Sequence, residues 1–503
     1  IKSMKVNIDI VDNKIILITD DPIVKTLFSG TTIGSKYDFI HKRYIKSEIK
    51  VTLYESGRTS KGSTKLILNI GWGVLILNLY KDYISPDDKN KILRTIYQTN
   101  YRTTPFSNLR DYQNDDILHL LKYKYGLFCN YTSYGKTELI ATLVNYLYSE
   151  LKLKVLLLVP SSKCKDELVK RCKERFNINV PSSDGLLDII NSSGVTSSKR
   201  FKKDNKEEYE NTKNYLESID CVLADEVEYV IGGNGGKIVL DMCKNAYMRY
   251  GFSGTADKIG GNLITFSNGI TDVVINNRDL IGYFGQALIY RVPIHLDINL
   301  VTVKTSCFNN ITFTDDNLSE DSNIYQTVLN TMWTNPESCD MITKLIKYYP
   351  RLFIPINNLT NIIDNWISNY WIGKFRILLI CGAGYIYYDL DRNSRRVELS
   401  EACDLIKNDE VDVIPSTSSG FRALDLPGLT NILLIQGKIA GVVLQSIGRV
   451  ARGKVANIID LRPKPYKPIP VYTKGVRDRS NMIKKYYKYC NLNLITRDES
   501  EFV

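Results

Sequence analysis

From Leu109 onward the chain is built of short, continuous apolar runs, each followed by a stretch with helical spacing. Residues 126–129, 154–159, 221–224 and 249–252 are runs of this kind, strand-length and bounded by polar residues. A strand apolar on both faces has to be covered on both, and helices joining such strands make the sheet parallel. The pattern weakens over 258–330, which includes the acidic stretch 315–321. It returns at 351–356, 376–381, 411–415, 431–436 and 456–461. The fold class this predicts is α/β, with two successive parallel-sheet domains meeting near residue 290.

The first hundred residues differ. Residues 6–18 are rich in apolar and β-branched positions on either side of Asp12-Asn13, the signature of a hairpin. A second pair of strand-like runs, 49–54 and 65–79, flanks a basic glycine-containing loop at 57–62. Pro86 then breaks the chain, and a polar helix leads to Pro105. The expected domains are a small α+β accessory domain at 1–100, an α/β domain at 101–290 and another at 291–503 with a basic C-terminal tail.

Composition narrows the classes. Of 503 residues, 44% are hydrophobic and 24% charged, an ordinary globular balance. Runs such as Val155–Val159 fall far short of the ~20 apolar residues a membrane-spanning helix needs. No charged-then-apolar leader opens the chain, so a cytoplasmic protein without a membrane partner is expected. The 10 cysteines form no Cys-x-x-Cys, and the 3 histidines (His41, His119, His295) lie far apart, which argues against zinc and against histidine acid–base chemistry. A net charge of +11 permits a polyanionic partner.

The candidate chemistry lies in three places. Asn130-Tyr131-Thr132-Ser133-Tyr134-Gly135-Lys136-Thr137 follows an apolar run and opens a helical stretch reaching Leu147. Gly-Lys-Thr at a strand-to-helix turn is half of a phosphate-binding loop, in which amides and a helix N-terminus cradle phosphate oxygens. There Lys136 would neutralise phosphate charge and Thr137 would ligate Mg²⁺. Further on, Cys221-Val222-Leu223-Ala224 leads into Asp225-Glu226-Val227-Glu228. A strand ending in two carboxylates is what a hydrolytic nucleotide site requires, Asp225 to hold the metal and Glu226 to orient or deprotonate water. Finally, Gln445-Ser446-Ile447-Gly448-Arg449-Val450-Ala451-Arg452 puts Arg449 and Arg452 on one helix face, where two guanidiniums can reach one phosphate cluster. Taken singly, these are also an ordinary turn, an acidic turn and a solvated basic face.

As an ordered set they resemble the superfamily 2 helicases, and within those the phage UvsW-type branched-DNA helicases. Leu109-Arg110-Asp111-Tyr112-Gln113 is similar to the adenine-reading Q-type motif, and Thr132 through Thr137 to motif I. Val159-Pro160-Ser161-Ser162 resembles motif Ia, Asp225 through Glu228 motif II, and Phe252-Ser253-Gly254-Thr255-Ala256 motif III. Leu352–Ile356 resembles motif IV, 417–425 motif V, and Gln445 through Arg452 fits motif VI at every defined position. The likeness covers about 105–465. Three positions depart from it: Glu228 where the family has Asp or His, Ala423 for the motif V glycine, and Asn130 for the small residue opening motif I.

The resemblance implies two tandem RecA-like domains with ATP and Mg²⁺ in the cleft between them. Lys136, Thr137, Asp225 and Glu226 would form one wall and Arg449 and Arg452 the other, so that catalysis requires closure. It gives Lys136, Glu226, Arg449 and Arg452 catalytic roles, and Thr137 and Asp225 the metal. Arg110 and Gln113 would meet the adenine, Thr132, Ser133, Tyr134 and Gly135 the phosphates, and Asp425 and Gln445 would join from the second wall. Ser161, Ser162 and Thr417 would hold nucleic-acid phosphates, a grip that carries no sequence information.

The implied function is ATP-dependent unwinding or remodelling of branched DNA, junctions or R-loops, in recombination or repair. Branched, single-stranded or hybrid DNA would be the partner. An RNA helicase or a transcription-linked viral motor is the alternative, with RNA as partner; a non-catalytic clamp is disfavoured by intact Glu226, Arg449 and Arg452. Abundant Lys, Asn, Ile and Tyr suit an AT-rich phage genome, hence an infected bacterial cell, and a monomer is expected.

Other features are plainer. The glycine-rich 231–237 reads as a mobile loop, and the basic cluster 199–203 as a solvated face. The basic stretches 462–467 and 477–488, with Tyr486 and Tyr487 interleaved, are candidate DNA contacts as well as ordinary surface.

Overall fold

The computed structural model describes residues 4–22, 24–27, 29–38, 43–52, 54–58, 63–131, 134–254, 263–265, 271–273, 278–285, 288–291, 293, 296–311, 322–356, 360–417, 428–435, 447–448, 450, 455–464 and 470–502. The chain divides into two compact units, one of Ile1–Asn130 with Lys136–Tyr290, the other of Tyr131–Gly135 with Arg291–Val503.

In the first unit a four-stranded antiparallel sheet runs in the order Val6–Val11, Lys14–Thr19, Thr64–Asn69, Tyr54–Arg58. Asp12 and Asn13 sit at φ 49° and 60°, the two left-handed residues of a type I′ turn, so the expected hairpin forms. Alternation buries Ile8, Ile15, Leu17, Leu66 and Leu68. The stretch 65–79 is strand only to Asn69; Ile70–Trp72 and Gly73–Leu79 are helical, correcting the longer strand. A continuous apolar run does not separate buried helix from buried strand by periodicity alone. Gly73 permits the helix here, since a Cβ on it would lie 2.9 Å from Ile92 Cγ2 on the neighbouring helix Pro86–Ile96. That helix starts as its sequence dictates, with Pro86 in the first turn and the Ser85 hydroxyl accepting the Asp88 N–H at 3.1 Å.

The larger sheet of this unit has six strands in the order Leu288–Arg291, Tyr125–Asn130, Met248–Ser253, Cys221–Ala224, Val155–Val159, Leu187–Asn191. Pairing between the strands from Tyr125–Asn130 to Leu187–Asn191 is parallel, and the strands Tyr125–Asn130, Val155–Val159, Cys221–Ala224 and Met248–Ser253, which carry the four runs read from the sequence, are buried at every position. Leu187–Asn191, whose apolar run is interrupted by Asp188, is an addition.

The glycine-rich stretch is not a loop. Val227–Gly232 and Asn234–Met242 are helices, and the glycines allow them to approach closely. A Cβ on Gly236 would lie 2.0 Å from the Val230 carbonyl oxygen, and one on Gly235 2.1 Å from that of Ser192. Gly236→Ala should therefore cost about 3 kcal/mol in thermal or denaturant unfolding, the upper range for overpacking; an unchanged melting temperature would contradict this packing.

The second unit holds a nine-stranded mixed sheet. Its order is Ser394–Val397, Gly384–Tyr388, Ile377–Cys381, Val413–Thr417, Leu352–Ile356, Asn431–Leu434, Ala456–Pro463, Asp297–Thr305, Asn491–Asp498. Helices cover both faces, around one core that includes Trp333, Trp366 and Trp371 and another that includes Phe353, Ile414 and Ile458. The basic C-terminal stretch is no free tail: Pro470–Tyr486 is a helix and Asn491–Asp498 pairs in parallel with Asp297–Thr305. Tyr487 is buried and Tyr486 packs on the same core, so neither is a free stacking platform for bases.

Eight cysteines are buried and the other two partly so. Among the described residues no cluster of His, Cys, Asp or Glu has metal-binding form, and no helix is long and apolar enough to cross a membrane.

Candidate nucleotide site

Parallel sheets present ligands at the carboxyl ends of their strands. Tyr125–Asn130 and Cys221–Ala224 flank Met248–Ser253 in the first sheet, so their ends are one strand apart. Gly135, at φ +93°, takes a backbone conformation that only glycine adopts readily, and the helix Lys136–Val144 begins directly after it. Glu226 is left-handed as well, at φ 44°, ψ 54°. For a glutamate this stores roughly 1–3 kcal/mol of strain. Its N–H donates to Asp225 Oδ1 at 2.9 Å, closing a tight bend that carries both carboxylates to one place.

Lys136 occupies that place. Its Nζ lies 2.9 Å from Asp225 Oδ1 and 2.5 Å from Glu226 Oε1, with all three side chains largely buried. Burial alone would lower the lysine pKa, but Asp225 first and Glu226 next raise it above the usual lysine value, so Lys136 stays charged. The Asp225 carboxyl is raised above its ordinary range: burial and the nearby Glu226 outweigh the pull of Lys136. One cation against two carboxylates leaves the cluster short of positive charge.

The oxygen set fits a divalent cation. Asp225 has a buried carboxylate, Glu226 Oε2 has no hydrogen-bond partner among the described residues, and the Thr137 hydroxyl donates to Glu167 Oε1 at 3.1 Å, keeping its lone pairs available. Hard oxygen donors of this kind suit Mg²⁺. Glu167, on the helix Ser162–Phe176, was not singled out in the sequence; nothing in its local pattern marks it. The nearby Cys129 and Cys164 thiols are raised by burial, Cys164 to about 12, and so stay protonated and unreactive.

The remaining candidates are positioned as follows. Gln113 is buried, and its Oε1 accepts the Arg110 N–H at 3.0 Å, capping the helix Asp111–Leu120; Arg110 Nη1 donates to the Tyr112 hydroxyl at 2.7 Å. Tyr134 is buried, its ring edge-on to Tyr131 at 5.6 Å. Ser161 accepts the Cys164 N–H at 3.3 Å as the N-cap of Ser162–Phe176, and Ser162 is that helix's first residue. In the second unit, Thr417 ends the strand Val413–Thr417 and is buried. Thr132, Ser133, Asp425, Gln445, Arg449 and Arg452 lie outside the described residues.

Two further groups stand out in the first unit. Asn130, only 4% exposed, has neither end of its amide hydrogen-bonded among the described residues, which makes it a polar group waiting at the loop's threshold. Glu228 is buried close enough to Cys129 to help raise that thiol.

No protein-family model matches the chain. Over 267 residues it is 24% identical to "Putative helicase 22" of Sulfolobus islandicus filamentous virus, a match covering 50% of this chain and 43% of that protein. The match thus spans less than half the length of that relative. Among solved structures, bacteriophage T4 UvsW aligns over 99% of this chain and 100% of its own at 14% identity, with a TM-score of 0.39. Dbp5 of S. cerevisiae, bound to RNA and ADP BeF3, aligns over 78% of this chain and 90% of its own at 11% identity, with a TM-score of 0.50. The chain has a tandem RecA-like α/β fold, in line with the likeness to Dbp5.

Proposed function

We propose that this chain, with the fold of a superfamily 2 helicase, is a nucleic-acid-dependent ATPase that unwinds or remodels branched DNA, junctions or R-loops. The observation that carries the reading is Lys136 held between Asp225 and Glu226. A buried lysine that neutralises two carboxylates is poised to exchange them for phosphate oxygens. Mg²⁺, when bound, would supply charge neutralisation across the β- and γ-phosphates, held by Asp225 and Thr137. Lys136 would then turn to the phosphates, leaving Glu226 free to orient or deprotonate the attacking water. Arg449 and Arg452 would add positive charge to the transition state, and Gln113 would read the adenine edge. Ser161, Ser162 and Thr417 would grip strand phosphates. The cellular setting we infer is an infected host cell, in line with the viral origin of the relative.

Displacement of a labelled strand from a fork, a four-way junction, an R-loop and an RNA duplex tests the reading. ATP should drive displacement from branched or hybrid DNA, and a non-hydrolysable analogue should not. Displacement from RNA duplex alone would move the chain to the RNA helicases. ATP-independent binding without displacement would make it a clamp.

A further inference from the structure

A groove of about 650 Å³ lies within the second unit, between the helix Pro470–Tyr486 and the last three strands of the sheet. Register explains its character. Leu300 stands beside Ile458 and Leu494, Thr302 beside Asp460 and Thr496, and Lys304 beside Arg462 and Asp498, so the surface turns from apolar to charged toward the strands' carboxyl ends. The helix is pinned above it by Arg479, whose guanidinium pairs with Asp460 in full burial, and by Ile483 in the core.

Among the described residues, five cationic side chains line the groove, Lys304, Arg462, Lys464, Arg477 and Lys484, and no carboxylate does. Arg462 and Lys464 pair with Asp460 and Asp498. Lys304, Arg477 and Lys484 are exposed and have no acidic partner among the described residues. Ser480, 3% exposed, lines the same groove with a hydroxyl that has no hydrogen-bond partner among the described residues. Leu494, 61% exposed, adds apolar surface.

We propose that this groove binds the sugar–phosphate backbone of a single nucleic-acid strand, a second grip besides the one assigned to Ser161, Ser162 and Thr417. The inference rests on the helicase reading and extends it. Charge selects a polyanion. Arg477 and Lys484 are two helical turns apart, about 10 Å, too far for one small anion to neutralise both, whereas a chain of phosphates can. Leu494 offers apolar surface to sugar or base edges. Among the described residues no aromatic ring lines the groove, which favours a grip on the backbone, independent of sequence.

The test uses the full chain and a fluorescein-labelled oligothymidylate of roughly 20 nucleotides, longer than one site of this kind, followed by anisotropy across a salt series. The triple variant Lys304→Ala, Arg477→Ala, Lys484→Ala changes exposed side chains outside the nucleotide site. It should bind about tenfold or more weakly, with the slope of log affinity against log salt reduced by about 2, at ~0.7 per phosphate contact. Its ATP turnover without nucleic acid should be unchanged. Ser480→Ala, which removes one hydroxyl, should weaken binding about threefold at unchanged slope. Equal affinity and slope in wild type and both variants would overturn the second grip and leave the helicase reading standing. A wild-type chain that binds no strand at any salt would overturn both. Displacement of the strand by polyglutamate as readily as by unlabelled strand would overturn the nucleic-acid assignment in favour of an acidic protein partner.

Discussion

Lys136→Ala should lower ATP turnover by on the order of 10²-fold or more, the scale of losing one preorganised charge at a reacting phosphate. The structure makes the loss twofold in origin. Without Lys136, nothing now 2.9 Å from Asp225 offsets its charge, and burial drives its carboxyl still further toward the protonated form. A protonated Asp225 is a poor metal ligand, so the variant loses both the phosphate contact and its hold on Mg²⁺. Retention on immobilised DNA should survive, because Lys136 takes no part in the proposed strand grips. Steady-state ATP hydrolysis and DNA retention, measured on the same preparation, check both halves. Undiminished turnover would remove Lys136 from the phosphate site.

Glu226→Gln should separate binding from chemistry. Glutamine keeps the shape and can accept the Lys136 hydrogen bond through its oxygen, and it fits the left-handed backbone no worse than glutamate. It has no basic carboxylate. Nucleotide affinity should therefore hold or rise, as one repulsive charge leaves the phosphate pocket, while turnover falls roughly 10²–10⁴-fold, the contribution of a positioned general base. Equilibrium binding of a fluorescent nucleotide and single-turnover hydrolysis measure the two separately. Weakened binding with an unchanged hydrolysis rate of bound ATP would assign Glu226 to substrate binding instead.

Sequence legibility followed how local each determinant is. The buried parallel strands were visible because a run such as Val155–Val159 is apolar throughout, and the first hairpin because Asp12-Asn13 suits two left-handed residues. The meeting of Lys136 with Asp225 and Glu226 was anticipated from motif order, although the bend at Glu226 was not: nothing in the type of residue announces a left-handed glutamate. What escaped was set by distant partners. Asn491–Asp498 has the alternation of a strand but follows the basic stretch 477–488, and it becomes one by pairing with Asp297–Thr305, far off in the chain. The glycines at 232–236 signal a loop by propensity, yet Gly236 serves close packing against the helix Val227–Gly232 and Gly235 against Ser192, tertiary demands that override propensity. The run 70–79 is helical and packs on the helix Pro86–Ile96, where Gly73 lets it approach Ile92 closely. The partner of Thr137, Glu167, is fixed by how the helices Lys136–Val144 and Ser162–Phe176 pack, which no sequence spacing encodes.

The central claim is that the Lys136–Asp225–Glu226 cluster hydrolyses ATP in response to nucleic acid. Steady-state ATP hydrolysis by the purified chain, with Mg²⁺ and with or without single-stranded DNA, a four-way junction, an R-loop or RNA, tests it most directly. The account predicts slow turnover alone, strong stimulation by branched or hybrid DNA, and none of either in Lys136→Ala or after chelation of Mg²⁺. Turnover that no nucleic acid changes, or that persists in Lys136→Ala, would contradict it.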